Sequence, residues 1–259
     1  SLLLAVGTSF SEGTTLGFGN KIVPEGAKII QIDTDPEQLG RNYPTEIAIQ
    51  ADAKVALGAI IDGVKSRAPK AAPTDRAEAI QQAKQTWKND IDQTIGKQNL
   101  GYASVLRALN DLLTGNEILT TSGMTGDTLR NIDSKVPIIH AGEFRAIGTA
   151  LATAFGVKLG RPHARVICVT GDGSFMMEQQ ELATARYHKI PIMVLILRNN
   201  AYGGMRRDQM NNYGGRIIGT ELFIPDLAKL AELYGAKGYS VTKKEELTPV
   251  FKQALAKDE

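Results

Sequence analysis

Runs of consecutive apolar residues recur along this chain, separated by stretches whose apolar positions repeat every three or four residues. Continuous apolar runs predict strands buried on both faces, and the longer periodic stretches predict the helices that cover them. Leu2–Val6, Lys28–Ile32 and Ile47–Ala51 read as strands, followed by a helix from about Ala53. Residues 67–75 hold two prolines, small residues and charge, the composition of a linker, and 76–93 read as a polar helix with the only tryptophan, Trp87. From Leu100 the alternation resumes. Helices are predicted at Tyr102–Leu113 (closed by Gly115), Ala146–Leu159, Phe175–His188 and Pro225–Tyr234, with a last amphipathic one from Thr248 to Glu259. Strands are predicted at Glu117–Thr121, Pro137–His140, Arg165–Thr170, Ile190–Leu197 and Gly238–Val241. The pattern is that of an α/β fold built from βαβ units around parallel sheets. The chain opens inside an apolar strand and stops on a helix with no strand after it, so a fragment of a longer protein is expected.

Composition narrows the classes. A length of 259 residues is enough for two domains, and 42% hydrophobic against 22% charged residues is a globular balance. A net charge of +2 gives no basis for binding nucleic acid or an anionic membrane. No apolar stretch approaches the roughly 20 residues that span a bilayer, and no signal peptide is recognisable, so a cytoplasmic protein is expected. The single cysteine, Cys168, excludes an internal disulfide and lies in the apolar run Val166–Val169, which suits a buried, inert thiol.

Three polar or glycine-rich loops follow predicted strands: 122–127, 171–174 and 198–204. In an open parallel sheet, ligands bind beyond the carboxyl ends of the strands. Gly171 and Gly173 bracket Asp172 between a strand and a helix. Glycine allows close approach of a ligand, and the amides of Gly173 and Ser174 open the helix as a phosphate site. A bare phosphate would be repelled by Asp172; a phosphate carrying Mg²⁺ would not, because that ion takes one or two carboxylates together with phosphate oxygens. One helix and one strand later, a right-handed crossover returns Asn199-Asn200 to the same sheet edge. The amide oxygen of Asn200 suits a hard cation, and the turn Ala201–Gly204 can add a main-chain carbonyl. No Gly-x-Gly-x-x-Gly follows a strand, since Gly17-Phe18-Gly19 lacks the third glycine, and there is no Gly-x4-Gly-Lys-Ser/Thr.

The stretch Arg165–Phe175 together with Asn199-Asn200-Ala201-Tyr202-Gly203 resembles the thiamine-diphosphate motif of the acetolactate synthase and 2-oxo-acid decarboxylase superfamily. The resemblance runs over essentially the whole chain, and Ile30–Pro36 with Ala51-Asp52-Ala53 is typical of that family's central domain. It implies a Rossmann-like central-domain part at 1–66, a linker and helix at 67–98, and a three-layer αβα diphosphate-binding domain at 99–259. It further implies Mg²⁺ on Asp172, the Asn200 side chain and the Tyr202 carbonyl, and a diphosphate held at Gly171, Asp172, Gly173 and Ser174. Gly123, Met124 and Thr125 would lie across the diphosphate, with Ile147 as the bulky apolar residue that bends the cofactor. The implied activity is cleavage or formation of a C–C bond on a 2-oxo acid or related acyl donor, with the cofactor as electron sink. The implied assembly is a homodimer or homotetramer, with the activating glutamate on a further N-terminal domain.

Other residues read less specifically. Asp33 and Asp52 stand where relatives touch FAD or ADP, a point left open. Glu181 reads as structural, Glu178 as solvated, His163 and His188 as surface turn residues, and Arg206-Arg207 as a solvated pair. His140 reads equally as a rim histidine or as a residue facing the cofactor. Two departures stand out: Glu143-Phe144-Arg145 where the family is glycine-rich, and Met205–Gln209 where acetolactate synthases carry a tryptophan. The second argues against acetolactate synthesis proper. A non-catalytic cofactor-binding homologue and a nucleotide-dependent oxidoreductase stay open as alternatives, the latter disfavoured by the missing glycine fingerprint.

Overall fold

A computed structural model of the chain describes residues 1–15, 17–20, 22–67, 74–97, 100–123, 134–140 and 146–256, with the main chain alone at 74, 75 and 94–97. The chain divides into two units, Ser1–Ile80 and Gln81–Glu259. Among the described residues, no helix is long and apolar enough to cross a membrane.

The first unit holds a parallel sheet of β1 (Leu2–Val6), β2 (Lys28–Asp33) and β3 (Ile47–Gln50), in that order. The register sets Leu4 against Ile30 and Ile32 against Ile49. Helix α1 (Glu12–Thr15) follows β1, and α2 (Ala53–Ser66) follows β3. The Asp52 side chain starts α2 by accepting from the amides of Lys54 and Val55, the usual role of aspartate at a helix N-cap. Gln31, in the middle of β2, is 1% exposed. Its amide nitrogen donates to the carbonyls of Thr8 (3.1 Å) and Gln38 (2.9 Å), and its oxygen accepts from Gly40 N (2.9 Å) and Thr45 Oγ1 (3.1 Å). One buried amide therefore ties together the loops on either side of the central strand.

Helix α3 (Thr74–Lys97) leads into the second unit, which begins its fold with α4 (Tyr102–Leu112), β4 (Glu117–Thr121) and β5 (Ile138–His140). Then come α5 (Ala150–Gly160), β6 (Arg165–Gly171), the single turn α6 (Asp172–Phe175), α7 (Glu181–His188) and β7 (Met193–Leu197). Helices α8 (Gly203–Asn212), α9 (Leu227–Leu233) and α10 (Lys244–Leu255) follow. The four strands are parallel, in the order β5-β4-β6-β7. Side chains alternate between the two faces, as the two-residue strand period requires. Ile167 and Val169 join α4 and α10 on one face. Val166 and Cys168 join α5, α7 and α9 on the other. Helices on both faces of a parallel sheet give the expected three layers, and they explain why the middle of β6, Val166–Val169, is apolar.

Several boundaries differ from the sequence reading. The last strand starts at Met193 rather than Ile190, because Pro191 has no N–H to give a ladder. The helix expected from Ala146 starts at Ala150, since Gly148 has φ +74° and is not helical. The helix expected over Phe175–His188 is broken into α6 and α7 with turns between them. Gly238–Val241 forms no strand. Gly238 lies so close to α9 that an added Cβ would come 2.1 Å from the Ala228 carbonyl oxygen, so the segment runs against a helix instead of a sheet edge. The last helix begins at Lys244, where Glu246 accepts from the amides of Thr242 and Lys243. Helix α8 had no counterpart among the predicted elements, and residues 68–73 of the expected linker lie outside the described residues.

Gln31→Leu should destabilise the first unit by about 2 kcal/mol, since it removes four hydrogen bonds to partly exposed groups that water can in part replace, at roughly 1 kcal/mol or less each. Chemical denaturation followed by circular dichroism measures this, and a loss below about 1 kcal/mol would mean that the amide is not the tie described.

Candidate functional site

Strand order reverses between β4 and β6: the chain steps outward from β4 to β5, then returns to β4's other side for β6. The crevice beyond those two carboxyl ends is where open α/β sheets bind ligands. Ser122 follows β4 and Ser174 follows β6, and their hydroxyls meet across the crevice at 3.0 Å. Ser174 Oγ also accepts from Gly148 N at 2.8 Å, which brings in the segment before α5. A row of hydroxyls thus joins three loops. Gly123 closes the β4 side, and its carbonyl lies 2.9 Å from His140 Nε2 at the end of β5. His140 therefore holds a loop of the crevice.

Asp172 is the first residue beyond β6 and is 1% exposed. Its Oδ1 accepts from Gly173 N at 2.9 Å, and its Oδ2 accepts from Asn199 N at 2.9 Å and Asn200 N at 2.5 Å. Two successive amides converge on one oxygen because Asn200 turns into the left-handed region, φ +54°, which Asn tolerates better than most residues. Such a pair of N–H groups is an anion-holding concavity. The expected pairing of Asp172 with Asn200 across neighbouring strand ends is thus present, first as a main-chain contact.

The Asn200 side chain has its own partner: Oδ1 accepts from Arg198 Nε at 2.8 Å. The Arg198 guanidinium donates further to the carbonyls of Ile224 (2.8 Å) and Pro225 (3.3 Å). Asn200 and Tyr202 pair with residues 220–222 through Leu222 N to Asn200 O (2.9 Å) and Tyr202 N to Thr220 O (2.8 Å). The Tyr202 carbonyl accepts from Arg206 N at 3.0 Å as α8 begins. Gly173 is needed as glycine, since an added Cβ would come 2.8 Å from the Tyr202 ring and 2.9 Å from the Leu222 side chain. Gly171 ends β6. Met124 and Thr125 lie outside the described residues, as do Glu143-Phe144-Arg145. Ile147 is 43% exposed, and its Cγ2 lies 3.3 Å from where a Cβ on Gly123 would be, so its side chain rests on the loop after β4.

The sequence-predicted metal ligands offer one carboxylate, one amide oxygen and one main-chain carbonyl, each with its own hydrogen-bond partner. Among the described residues, no group of three or more His, Cys, Asp or Glu could hold a metal ion. An oxygen-only set with a single charge suits Mg²⁺, which keeps waters and phosphate oxygens in its remaining positions. That amide oxygen is engaged by the Arg198 guanidinium.

Two side chains escaped the sequence reading. Glu178 is not solvated; it is 3% exposed, and its Oε2 accepts from Leu151 N at 2.9 Å. Burial raises its pKa despite hydrogen bonds from the α5 amides. It escaped because the break after α6 turns it inward, where a continuous helix would have shown it to water. Glu181 bonds to Thr184 within α7. Tyr102 is the second. Its hydroxyl donates to the Leu197 carbonyl at 3.1 Å, and burial, with the nearby charge of Asp172, pushes its phenol up to about 12. Arg206 and Arg207 are exposed on α8, as expected. In the first unit, Asp33 Oδ1 accepts from Asp35 N at 3.0 Å, and Asp52 caps α2.

Residues 120–259 match the family model described as thiamine pyrophosphate enzyme, C-terminal TPP binding domain, and residues 1–60 match that of the central domain. The chain is 32% identical over 269 residues to the acetolactate synthase large subunit of Haemophilus influenzae, covering 98% of this chain and 45% of that protein. It is 31% identical to the probable acetolactate synthase large subunit of Methanocaldococcus jannaschii, over 100% of this chain and 45% of that one. It is 30% identical to the putative thiamine pyrophosphate-containing protein YdaP of Bacillus subtilis, over 100% of this chain and 44% of that one. The chain thus spans about half the length of the curated relatives it matches.

The Tyr102 phenol is shifted upward, so the folded state prefers it neutral. The stability this gives is complete below the ordinary tyrosine pKa of about 10 and is lost as pH rises through about 12. In chelator-treated protein, the ultraviolet phenolate signal should show one of the seven tyrosines ionising late, near pH 12. Tyr102→Phe should remove that phase, and an unchanged titration curve would contradict the assignment.

Proposed function

The chain belongs to the thiamine pyrophosphate enzymes, and from that premise we propose that it forms the diphosphate- and metal-binding part of an enzyme that breaks or makes a C–C bond. The substrate class is a 2-oxo acid or a related acyl donor. One observation carries this reading: a buried carboxylate, Asp172, at the switch point of a parallel sheet, held by the amides of the Asn199-Asn200 turn. A catalytic rather than a purely structural role is favoured because this carboxylate lies beyond the strand ends, at the switch point where open parallel sheets bind ligands.

In this reading Mg²⁺ is held by the Asp172 carboxylate, the Asn200 amide oxygen and the Tyr202 carbonyl. The latter two oxygens each accept one protein hydrogen bond, and a carbonyl oxygen has two lone pairs, so each keeps room for the ion. Gly171, Gly173 and Ser174 take the diphosphate through the main chain. The Gly173 amide faces the Asp172 carboxylate, which leaves Ser174 N as the freer donor. Gly123 bounds the diphosphate from the β4 side, with Met124 and Thr125 assigned there by the family resemblance. Ile147 is the apolar prop for the cofactor's rings. When bound, thiamine diphosphate supplies a nucleophilic carbon and an electron sink; the residues of this chain bind it, orient it and keep water from its apolar side. We assign residues 1–66 to the central domain, 67–98 to the connection and 99–259 to the cofactor domain. Asp33 and Asp52 are engaged in their own turns, and we assign no nucleotide to them. The family resemblance implies a homodimer or homotetramer for the intact protein.

Thiamine diphosphate should bind only with a divalent cation, because Asp172 alone would repel the phosphates. Asp172→Ala should abolish binding, and Asn200→Ala should weaken it by about 10- to 100-fold, the scale of losses around metal ligands. Calorimetric titration with and without Mg²⁺ decides this, and tight metal-free binding would sink the metal assignment. Acetolactate should not be the main product from pyruvate, since polar residues at 205–209 stand on α8 where acetolactate-forming relatives are expected to carry an aromatic. Efficient acetolactate formation by the intact enzyme would overturn that second expectation.

A further inference from the structure

We propose that Glu178 is a positioning residue for thiamine diphosphate: by capping α5 it locks the Ile147 segment to the Asp172–Ser174 turn, so that the cofactor's apolar prop and its diphosphate turn are held as one piece. This rests on the functional reading above.

A helix start leaves its first amides without intrahelical partners. Thr149 stands at the N-cap of α5 but makes no side-chain cap bond. Its hydroxyl donates instead to the Ala146 carbonyl at 3.2 Å, closing the turn that carries Ile147. The cap comes from another element. Glu178 Oε2 accepts from Leu151 N at 2.9 Å, and the amides of Ala150 and Ala152 also favour its charged form. A carboxylate there also meets the positive end of the helix dipole.

Two further contacts run between the same segments. Ser174 Oγ accepts from Gly148 N at 2.8 Å. The Met177 side chain lies against Gly148, so closely that an added Cβ would be 3.0 Å from Met177 Cβ. Residues 174, 177 and 178 thus grip 148 and 151. Ile147 itself makes no part of this grip: it stands 43% exposed beside a clamped main chain. A local Ser, Thr or Asp cap would have served α5 alone more cheaply. Glu178 carries a desolvation cost, and its second oxygen, Oε1, is buried with no hydrogen-bond partner. What the distant carboxylate adds is the connection to the turn after β6.

The test separates ring positioning from diphosphate binding. The intact protein is titrated with thiamine diphosphate and with inorganic pyrophosphate, both with Mg²⁺. Glu178→Ala should weaken thiamine diphosphate by about tenfold, the low end of outer-shell losses, and leave pyrophosphate within about twofold. Amide exchange in the cofactor-free protein should accelerate at 148–152 and not in β6. Glu178→Gln, which keeps an acceptor for Leu151 N, should recover most of the loss. Should the alanine variant fail to fold, Glu178→Asp carries the test: it keeps the charge, shortens the reach, and should lose thiamine diphosphate but not pyrophosphate. Equal weakening of both ligands, or unchanged affinity for both, overturns the proposal. If the wild-type protein binds pyrophosphate but not thiamine diphosphate, the functional reading fails and the proposal with it, whereas a wild type that binds both, with variants that behave alike, refutes only the proposal.

Discussion

The site is organised by one buried negative charge. A carboxylate taken out of water must be compensated, and Asp172 is compensated by main-chain amides; among the described residues it makes no ion pair. Amides are fixed by the backbone, so this choice constrains the chain. The end of β7 must arrive beside the end of β6, which the parallel register delivers by setting Gly171 against Leu197. Two residues further, the backbone must bend so that successive N–H groups point inward, which places Asn200 at positive φ. An asparagine is suited to that conformation and also carries a neutral oxygen. One residue type meets a backbone demand and a chemical one.

The rest of the crevice extends from that anchor. The hydroxyls of Ser122 and Ser174 span the switch point, and Gly148 joins them. On the β7 side, residues 200–202 take up a short antiparallel pairing with 220–222, which lays Tyr202 and Leu222 against Gly173. Both walls are therefore referred back to the turn after β6. Tyr102 contributes from beneath by holding the last carbonyl of β7. Its hydroxyl lies in low-dielectric surroundings near the same carboxylate, which accounts for its reluctance to ionise.

Much of this was legible in the residues. Continuous apolar runs located the described strands of both sheets; in the second unit they do so because strands covered on both faces cannot hide their composition. Asp172 and Asn200 were legible because one crossover separates them and crossovers have a fixed hand. What escaped follows from tertiary contacts. Glu178 reads as a surface residue on any continuous helix, and only the break after α6 turns it inward. Arg198 looks like a strand-end charge until Ile224 and Pro225 present it with carbonyls. Gly238–Val241 has a strand's composition, but its glycine is taken up by close approach to α9. Pairwise encounters between distant segments leave no periodicity to read.

The charge inventory explains why a single carboxylate is enough. A second acid beside Asp172 would repel it at this burial, and one of the two would take up a proton rather than bind a cation. It would also repel a diphosphate. In the proposed site, the neutral oxygens of Asn200 and Tyr202 would add ligation without adding charge. The guanidinium of Arg198 adds a positive charge at the rim, attached to the same Asn200 oxygen proposed for the metal. An incoming dication and that guanidinium compete electrostatically for one oxygen, while an incoming diphosphate favours both. In the proposed site a diphosphate alone would meet the Asp172 carboxylate, and a dication held there removes that repulsion, so the phosphate is expected to enter with the metal.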